Sequence, residues 1–536
     1  MERVNQISLF FSSTNLNIHK IGISTLLISI ALAYVFIHRW NQRNVKGPKS
    51  WPFIGVLIEL LNNYNRMHDW LTEYFVESKT VKVPLPFTTL TFIADPTNIE
   101  HVLKTNFSNY PKGEAFRAHM EELLGDGIFN SDGEMWKQQR KISSLEFASR
   151  NLRDFSTTVF RDYALNLSGI LHRSSTCDEQ IDMQELLMRM TLDSICKVGF
   201  GMEIGTLAYE LPDIRFANAF EYASSTVTYR FVNPWWRFKR FLNVGSEALF
   251  VQSIQVIDEF TYKLIHKRKA ELQEAKSTSN NGYKVIKHDL LSRFIELSES
   301  HDSNSTDKSL RDLIINFVLA GRDTTAATLS WSIYMLMINP NVAEHIYTEL
   351  ITFEENQVKE MTGYDSEHPK SFAEKITQFA SLLSYDSLAK LPYLHATITE
   401  TLRLYPAVPQ DPKGILEDDV LPDGTKVRAG GLMITVPYVM GRMVYNWGPD
   451  ATSFNPGRWL NEEGQFQSES PFRFTAFQAG PRTCLGKDSA YLQMKMTLAI
   501  LCRFFNFHLI PNHPVKYTMM PSLTMERGLK LTVTTR

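Results

Sequence analysis

The first strongly apolar segment of the chain is an uncharged run from Ile21 to Ile37, made mostly of Ile, Leu, Ala and Val. Its length lies at the short end of the range for a membrane-spanning helix. Basic residues are more numerous just after the run, between positions 39 and 49, than before it. The positive-inside rule therefore predicts a single-pass anchor with the downstream chain in the cytosol. A cleaved signal peptide is the alternative, but no small-x-small cleavage site follows the run.

The pattern changes abruptly after the apolar run. Pro48 and Pro52 fall among basic and glycine residues, and proline cannot continue a helix. We therefore expect a stiff, basic and proline-rich hinge. The predicted organisation has four parts: an N-terminal tail at 1–20, an anchor at 21–37, a hinge at 38–55 and a folded body at 56–536.

The body is predicted to be mainly α-helical with small β-sheets. Apolar residues recur at helical spacing from about residue 96 to residue 345. Runs of β-branched and aromatic residues broken by turn residues predict short strand pairs in three segments, 80–94, 412–431 and 519–535. Polar runs predict irregular surface at 275–282, 298–308 and 353–375. Neither a repeat nor a domain-sized linker divides the pattern, so we expect one large domain.

Composition and charge narrow the function class. The formal net charge is −2 over 536 residues, which argues against a nucleic-acid binder that relies on bulk positive charge. The chain has four cysteines, Cys177, Cys196, Cys484 and Cys502, with no C-x-x-C pair among them. They are too sparse for a disulfide scaffold, so we expect a reducing environment and a cysteine free for chemistry.

The segment from Phe477 to Gly486 matches the pattern F-x-x-G-x-R-x-C-x-G around Cys484. An inert, buried cysteine in a glycine-proline turn is the alternative, and for a lone cysteine it is the commoner outcome. Five specified residues coincide here, however, and such a match by chance is on the order of one in ten thousand. On these residues the chain resembles a cytochrome P450, a haem-thiolate monooxygenase, along essentially its whole length.

The resemblance gives each residue of this segment an expected role. Cys484 is expected to be the thiolate ligand of the haem iron, which favours O–O cleavage. Gly480 and Gly486, with Phe477, are expected to let the turn and the following helix start lie flat against the porphyrin. Arg482 is expected to supply a cation to a haem propionate. The cofactor implied is haem b.

A second segment, Ala320-Gly-Arg-Asp-Thr324, is similar to the family's oxygen-activation motif A-G-x-D/E-T. Ala320 and Gly321 are expected to thin the helix where dioxygen binds. Thr324 is expected to open the local helical hydrogen bonding and hold a water, and Asp323 to deliver protons through it. A helix with a small-residue packing notch is the alternative. Ala320 stands where animal fatty-acid ω-hydroxylases often carry a haem-esterified Glu, so non-covalent haem is expected.

Two further pairs have helical spacing. Glu400 and Arg403 form an E-x-x-R pair at i and i+3, which the family completes with an arginine from an F-x-P-x-R segment, here Arg458. The family usually has Glu at Gly457, so its absence weakens that segment locally. Trp136 and Arg140 share one helix face and are expected to reach a propionate. Lys137 and Lys141 lie on another face and are either a docking patch for an acidic electron donor or simply solvated.

The resemblance implies a function. Electrons are expected from NADPH through a cytochrome P450 reductase, at the endoplasmic reticulum membrane, with dioxygen as oxidant. The predicted pocket lining is largely apolar and lies in four places, 113–129, Phe317 with Leu319, 407–410 and 522–525. Residues 404–414, 418–424, 437–443 and 474–480 look like plant fatty-acid ω-hydroxylases, and residues 409–414 and 487–494 are most similar to the long-chain branch linked to sporopollenin, pollen exine and anther cuticle. Hydroxylation of a terpenoid or steroid, a peroxide-rearranging enzyme and a non-catalytic haem sensor are the alternatives.

Overall fold

The computed structural model describes residues 24–40, 42–43, 47–85, 88–208, 211, 215–278, 289–300, 306–360 and 371–536. Its helices are α1 (24–40), α2 (Leu57–Asn62), α3 (Met67–Phe75), α4 (Pro96–Glu100), α5 (Gly113–Leu124), α6 (Gly133–Phe147), α7 (Arg150–Cys177), α8 (Met183–Phe200), α9 (Arg215–Arg230), α10 (Trp236–Leu242), α11 (Ser246–Thr278), α12 (Leu290–Ser300), α13 (Asp307–Val318), α14 (Thr324–Ile338), α15 (Pro340–Glu360), α16 (Phe372–Leu382), α17 (Pro392–Leu404), α18 (Pro437–Met440), α19 (Val444–Trp447) and α20 (Lys487–Phe504). Its strands are β1 (Thr80–Pro84), β2 (Thr89–Ile93), β3 (Ile181–Asp182), β4 (Asp411–Gly414), β5 (Asp419–Val420), β6 (Lys426–Val427), β7 (Leu432–Thr435), β8 (Phe505–Leu509) and β9 (Lys530–Thr535). The predicted fold class, mainly α with small sheets, is confirmed.

Helix α1 covers the described part of the predicted anchor and extends three residues beyond its predicted end at Ile37. The predicted tail at 1–20 and the first anchor residues, 21–23, lie outside the described residues. Across the described segments, no helix combines the length and the apolar character needed to cross a membrane. After the helix, residues 51–55 form a turn closed by a bridge between Trp51 and Gly55. A Cβ on Gly55 would lie 2.1 Å from the Pro84 carbonyl oxygen, so this turn requires glycine.

The main sheet has four strands in the order β1-β2-β7-β4. The strands β1 and β2 pair antiparallel, which confirms the strand pair predicted at 80–94. Strand β7 adds parallel to β2, and β4 pairs antiparallel with β7, so that Asp411 lies opposite Thr435. The sheet thus brings a segment near residue 90 together with one near residue 430. The short pair β5–β6 is a hairpin within the segment predicted at 412–431.

Two predictions about the remaining segments are wrong in part. The hairpin expected within 519–535 does not form as such, because β9 pairs with β8 from the end of α20 and with β3. The polar segment 353–375 is not irregular at its ends, because α15 continues to Glu360 and α16 starts at Phe372. Residues 361–370 lie outside the described part, as do 279–282 and 301–305 in the other two polar runs.

The core lies around α14. Of the ten residues from Thr325 to Tyr334, all except Tyr334 are buried. A helix that is apolar on all its faces is an interior helix. α14 packs against α8, α15, α17 and α20, and α20 is itself buried from Tyr491 to Cys502. The cysteine segment therefore comes directly before a helix that packs against the helix of the oxygen-activation motif.

Candidate active site

The cysteine segment folds as a tight turn. A short 3-10 turn, Gly480–Arg482, precedes Cys484, and the Cys484 N–H donates to the Phe477 carbonyl oxygen at 2.9 Å. Gly480 has a φ of +66°, and a Cβ at this position would lie 2.0 Å from the Leu103 carbonyl oxygen. Position 480 therefore requires glycine, because any side chain there would collide with the protein backbone. Gly486 differs, because a Cβ there would meet its nearest atom, Phe147 Cε1, at 3.8 Å.

The thiol of Cys484 is surrounded by protein atoms and is also exposed. Burial raises the pKa of the Cys484 thiol, while the Gly486 N–H, Arg140 and Lys487 act in the opposite direction. The residue is nevertheless exposed. A side chain surrounded by protein and still exposed lines a cavity or cleft. Cys196 and Cys502, by contrast, are simply buried.

Trp136, Arg140 and Arg482 lie together beside the cysteine turn. The Arg140 Nη2 donates to the Thr483 carbonyl oxygen at 2.7 Å, and the Arg482 guanidinium lies 4.4 Å from the centre of the Trp136 ring. Helix α6 carries Trp136 on its buried face, and Phe107 packs against the same ring. The predicted W-x-x-x-R pair is thus next to the cysteine turn, although the two segments are far apart in sequence.

Arg482 already has an anionic partner within the protein. Its Nη2 lies 2.6 Å from Asp132 Oδ1 and donates to the Ser131 carbonyl oxygen at 2.9 Å. Its Nε is buried and has no hydrogen-bond partner among the described residues. One N–H of Arg482 is therefore unsatisfied next to the thiol-lined cleft, as expected for a group that receives an anion.

A buried charge cluster nearby was missed by the sequence reasoning. Lys413 Nζ lies 2.6 Å from Asp411 Oδ2, and Lys112 bonds the other carboxylate oxygen. Burial, against the opposing effect of Asp411 and together with the neighbouring Lys112 and Arg482 cations, lowers the pKa of Lys413 to about 7. Asp411 and Lys413 share a face of β4 at i and i+2, which is the signal that could have identified them. They place a third cation beside Arg482.

The oxygen-activation motif forms a π-helical turn, Leu319–Asp323, between α13 and α14. The Thr324 Oγ1 donates a hydrogen bond to the Ala320 carbonyl oxygen at 2.6 Å. This bond forms at the π-helical turn, where the regular α-helical hydrogen bonding is interrupted. Ala320 and Thr324 are partly exposed in a stretch that is otherwise largely buried. As at Cys484, partial exposure inside the core marks residues that line a cleft.

Gly321 has a packing role that the sequence did not indicate. A Cβ on Gly321 would lie 2.7 Å from Ile195 Cδ1 in α8, so this glycine permits close packing of α8 against the π-helical turn. Ala320 and Gly321 are both partly exposed. Their expected place beside dioxygen stays a prediction.

Asp323 is buried and belongs to an ion-pair chain. Its Oδ1 lies 2.8 Å from Arg322 Nη1, and its Oδ2 has no partner in the described structure. Burial raises the pKa of Asp323 to about 6, with Arg322 opposing and Glu221 reinforcing this effect. A carboxyl group that titrates near neutral pH is suited to proton transfer.

The predicted triad is assembled under α17. Both oxygens of Glu400 bond to Arg403 at 2.7 Å, and both side chains are fully buried. Arg458 Nε lies 3.5 Å from Glu400 Oε1, and Arg458 Nη2 lies 2.8 Å from Asp450 Oδ2. Asp450 therefore holds the arginine of the segment in which Gly457 replaces the usual glutamate. The Glu400–Arg403 pair lies on α17, which packs on α20, the helix that follows the cysteine turn.

The residues fit a haem with an axial thiolate. A thiol lines a cleft at a helix start, and three cations, Arg140, Arg482 and Lys413, lie on its side of the fold, one with an unsatisfied N–H. Porphyrin propionates need such cations, and haem iron accepts a cysteine thiolate. Arg140 and Arg482 would hold the propionates and Cys484 the iron.

Comparison with known proteins agrees with this geometry. The cytochrome P450 family model matches residues 45–533. Cytochrome P450 704B1 of Arabidopsis thaliana is 63% identical over 519 residues, covering 95% of this chain and 99% of the relative. Cytochrome P450 704C1 of Pinus taeda is 43% identical, covering 96% and 98%, and cytochrome P450 86B1 of Arabidopsis thaliana is 38% identical, covering 97% and 91%. The chain belongs to the cytochrome P450 family of haem-thiolate monooxygenases.

Proposed function

We propose that the protein hydroxylates long-chain fatty acids at the terminal, ω, carbon, with Cys484 as the iron ligand. The observation that carries the haem site is the Cys484 thiol, which lines a cleft while the Gly486 N–H and the Arg140 cation stabilise its charged form. Bound haem b supplies the activation of dioxygen, with electrons from NADPH through a reductase. The protein supplies the thiolate, the proton path and the position of the substrate.

Asp323 and Thr324 form the proposed proton path. The free Oδ2 of Asp323 can hydrogen-bond a water, and Thr324, one residue later, lies on the partly exposed side of the helix. Asp323, with a pKa near 6, can release a proton and recover it from solvent.

The substrate assignment rests on resemblance and on an apolar lining. Phe116 and Met120 of α5 and Phe317 of α13 belong to one buried apolar cluster, which supports an apolar surrounding for the proposed lining. The segments at 407–410 and 522–525 also meet, because the Leu523 N–H donates to the Ala407 carbonyl oxygen at 2.9 Å. A terminal methyl C–H is stronger than its methylene neighbours, so ω-selectivity must come from substrate position. The product class fits sporopollenin, pollen exine or cutin-type lipid formation.

Product analysis tests the assignment directly. The full-length enzyme with reductase and NADPH is incubated with saturated and unsaturated fatty acids of graded length, and separately with a sterol and a terpenoid. We expect ω-hydroxy acids from the long chains, and none with Cys484→Ser. Turnover of the sterol or terpenoid without any fatty-acid product would contradict the substrate class. The ratio of terminally hydroxylated to in-chain hydroxylated fatty acid gives the regioselectivity.

We further propose the four-part organisation of tail 1–20, anchor 21–37, hinge 38–55 and catalytic domain 56–536, held at the endoplasmic reticulum membrane. The described helix α1 exposes its large apolar side chains to between 50% and 64%, so it buries almost none of them against the body. Such a helix is stabilised by lipid. The cytosolic orientation follows from the basic residues after the apolar run.

A second membrane contact is proposed at α10. Trp235, Phe238 and Phe241 are 68%, 61% and 85% exposed, next to Arg237 and Lys239. Trp236, the next residue after Trp235, is buried under the Arg230 guanidinium and takes no part. Interleaved aromatic and basic side chains suit an anionic membrane interface.

Binding to vesicles tests this contact. A protein lacking residues 1–40, with Trp235, Phe238 and Phe241 changed to Ser, should bind phosphatidylserine-containing vesicles at least tenfold more weakly than its unsubstituted counterpart. Leu416→Ser and Val420→Ser, at other exposed apolar positions, provide the control. Equal binding of all three proteins would contradict the contact.

The reductase surface is proposed to include Lys137 and Lys141 on α6. Lys137 pairs with Glu134 at 2.6 Å, and both side chains are largely exposed. Rim charges of this kind affect association rate and its salt dependence. Reversal of both lysines to Glu should weaken reductase-supported turnover while the haem content stays unchanged.

A further inference from the structure

Arg322 links the oxygen-activation turn to a neighbouring helix. Its side chain is buried, with Nη1 2.8 Å from Asp323 Oδ1 and Nη2 3.1 Å from Glu221 Oε1. Glu221 is on α9, and its side chain is 49% exposed. A single guanidinium therefore joins a buried carboxylate to one that reaches solvent. The mechanism described above makes no use of Arg322 or Glu221.

The division of the guanidinium between two carboxylates affects Asp323. Arg322 bonds Oδ1 of Asp323 through Nη1 while its Nη2 bonds Glu221, and both Arg322 Nε and Asp323 Oδ2 are left without a partner within the described chain. An unpaired guanidinium edge prefers to bind a carboxylate through two parallel bonds. Without Glu221, Nη2 would be free to turn towards Asp323 and engage it more fully.

The surrounding charges act in the same direction. Asp323 is influenced by Arg322, which lowers its pKa, and by Glu221, which raises it. Arg322 itself is faced by Asp323 on its own helix, Glu221 on α9 and Glu185 on α8. Glu185 is engaged with Arg189 at 2.8 Å, so Glu221 is the carboxylate that competes directly for the guanidinium.

We propose that Glu221 is a positioning residue for the monooxygenase reaction, which through Arg322 keeps one carboxylate oxygen of Asp323 free for proton delivery. This inference rests on the role of Asp323 under the proposed function. It also links α9 to the oxygen-activation turn, because any movement of α9 that withdraws Glu221 would change the hydrogen bonding of Asp323.

The test compares Glu221→Gln and Glu221→Asp in the haem-loaded enzyme with reductase and long-chain fatty acid. The measured quantity is product formed per NADPH consumed, as a function of pH. Glu221→Gln removes a negative charge near Asp323 and so should lower the pKa of Asp323. The pH at which the yield falls should therefore decrease by about one pH unit. At pH 7.5 the yield should fall several-fold and hydrogen peroxide should rise. Glu221→Asp should retain most of the yield.

A second readout needs no turnover. The pKa of Asp323 lies above that of an ordinary aspartate, so its protonated form favours the folded state. Stability from this residue is therefore lost as pH rises from about 4 to about 6. This loss of stability should be smaller in Glu221→Gln. It is measured as the change in urea midpoint between the two pH values, with the Glu221→Gln, Asp323→Asn double variant as the reference. Glu203→Gln, which breaks an exposed pair with Lys197, is the control.

The outcomes separate the inference from the proposed function. A Glu221→Gln enzyme with an unmoved pH profile, or with a uniform loss at every pH, would overturn the positioning role. If Asp323→Asn itself keeps the full yield, the proton path under the proposed function fails as well. A shifted profile in Glu221→Gln together with low yield in Asp323→Asn supports both.

Discussion

Replacing Glu400 by Gln is expected to destabilise the enzyme severely, because it leaves a buried arginine without its counter-charge. Glu400 and Arg403 are both fully buried. Glu400 also accepts hydrogen bonds from the Asn455 N–H at 2.8 Å and from Trp459 Nε1 at 2.9 Å. Removing one partner of a buried ion pair costs about 3–5 kcal/mol. That is a large share of the roughly 5–15 kcal/mol that stabilises a folded domain.

The chain contains a control with the same sequence spacing. Glu134 and Lys137 also pair at i and i+3, at 2.6 Å, but their side chains are 76% and 62% exposed. Exposed pairs contribute about 0–1 kcal/mol, so Glu134→Gln should barely change the urea midpoint. Both variants are unfolded in urea as holoenzymes, with retained haem measured alongside. If Glu400→Gln shifted the midpoint no more than Glu134→Gln and kept its haem, burial would not be what makes the E-x-x-R pair matter.

Four further substitutions test the site. Cys484→Ser should abolish the spectrum of thiolate-ligated haem without preventing folding, whereas an unchanged spectrum would show that another residue holds the iron. Gly480→Ala should lower the melting temperature by several degrees, since its Cβ would lie 2.0 Å from the Leu103 carbonyl oxygen; Gly486→Ala, with 3.8 Å of clearance, should cost far less in the haem-free protein. Thr324→Val removes the 2.6 Å bond to the Ala320 carbonyl oxygen and should lower product per NADPH several-fold at unchanged NADPH consumption. Coupling as tight as in the wild type would argue against Thr324 in the proton path.

Features that depend on local spacing were predictable. The i, i+3 spacing of Glu400 and Arg403 places them on one helix face whatever the rest of the fold does, and the structure pairs them. The strand pair at 80–94 needs only one turn between two apolar runs. The helical body likewise follows from a periodicity that each segment carries by itself.

Features that depend on contacts between distant segments were not predictable. Arg482 was expected to face only a propionate, but Asp132, which bonds the backbone N–H groups of Lys112 and Gly113, also accepts from it. Strand β9 could have paired with several apolar runs, and its partner β8 is set by how α20 ends. The i, i+2 spacing of Asp411 and Lys413 is compatible with an ion pair, but it does not predict that Lys413 is buried, because a lysine between proline and glycine is typical of an exposed turn.

Gly480 and Gly321, two of the three glycines in the chemical motifs, each have a packing role beside the reactive residue of their motif. Gly480 makes room for the Leu103 carbonyl oxygen, and Gly321 makes room for the Ile195 side chain. Both therefore meet protein, and neither contact involves a cofactor. A side chain at either position would displace the turn that carries Cys484 or the turn that carries Thr324, because the opposing atoms belong to buried, well-packed elements. The short motifs thus specify where the two reactive turns sit in the fold, and the positions of the thiol and the hydroxyl follow from that packing.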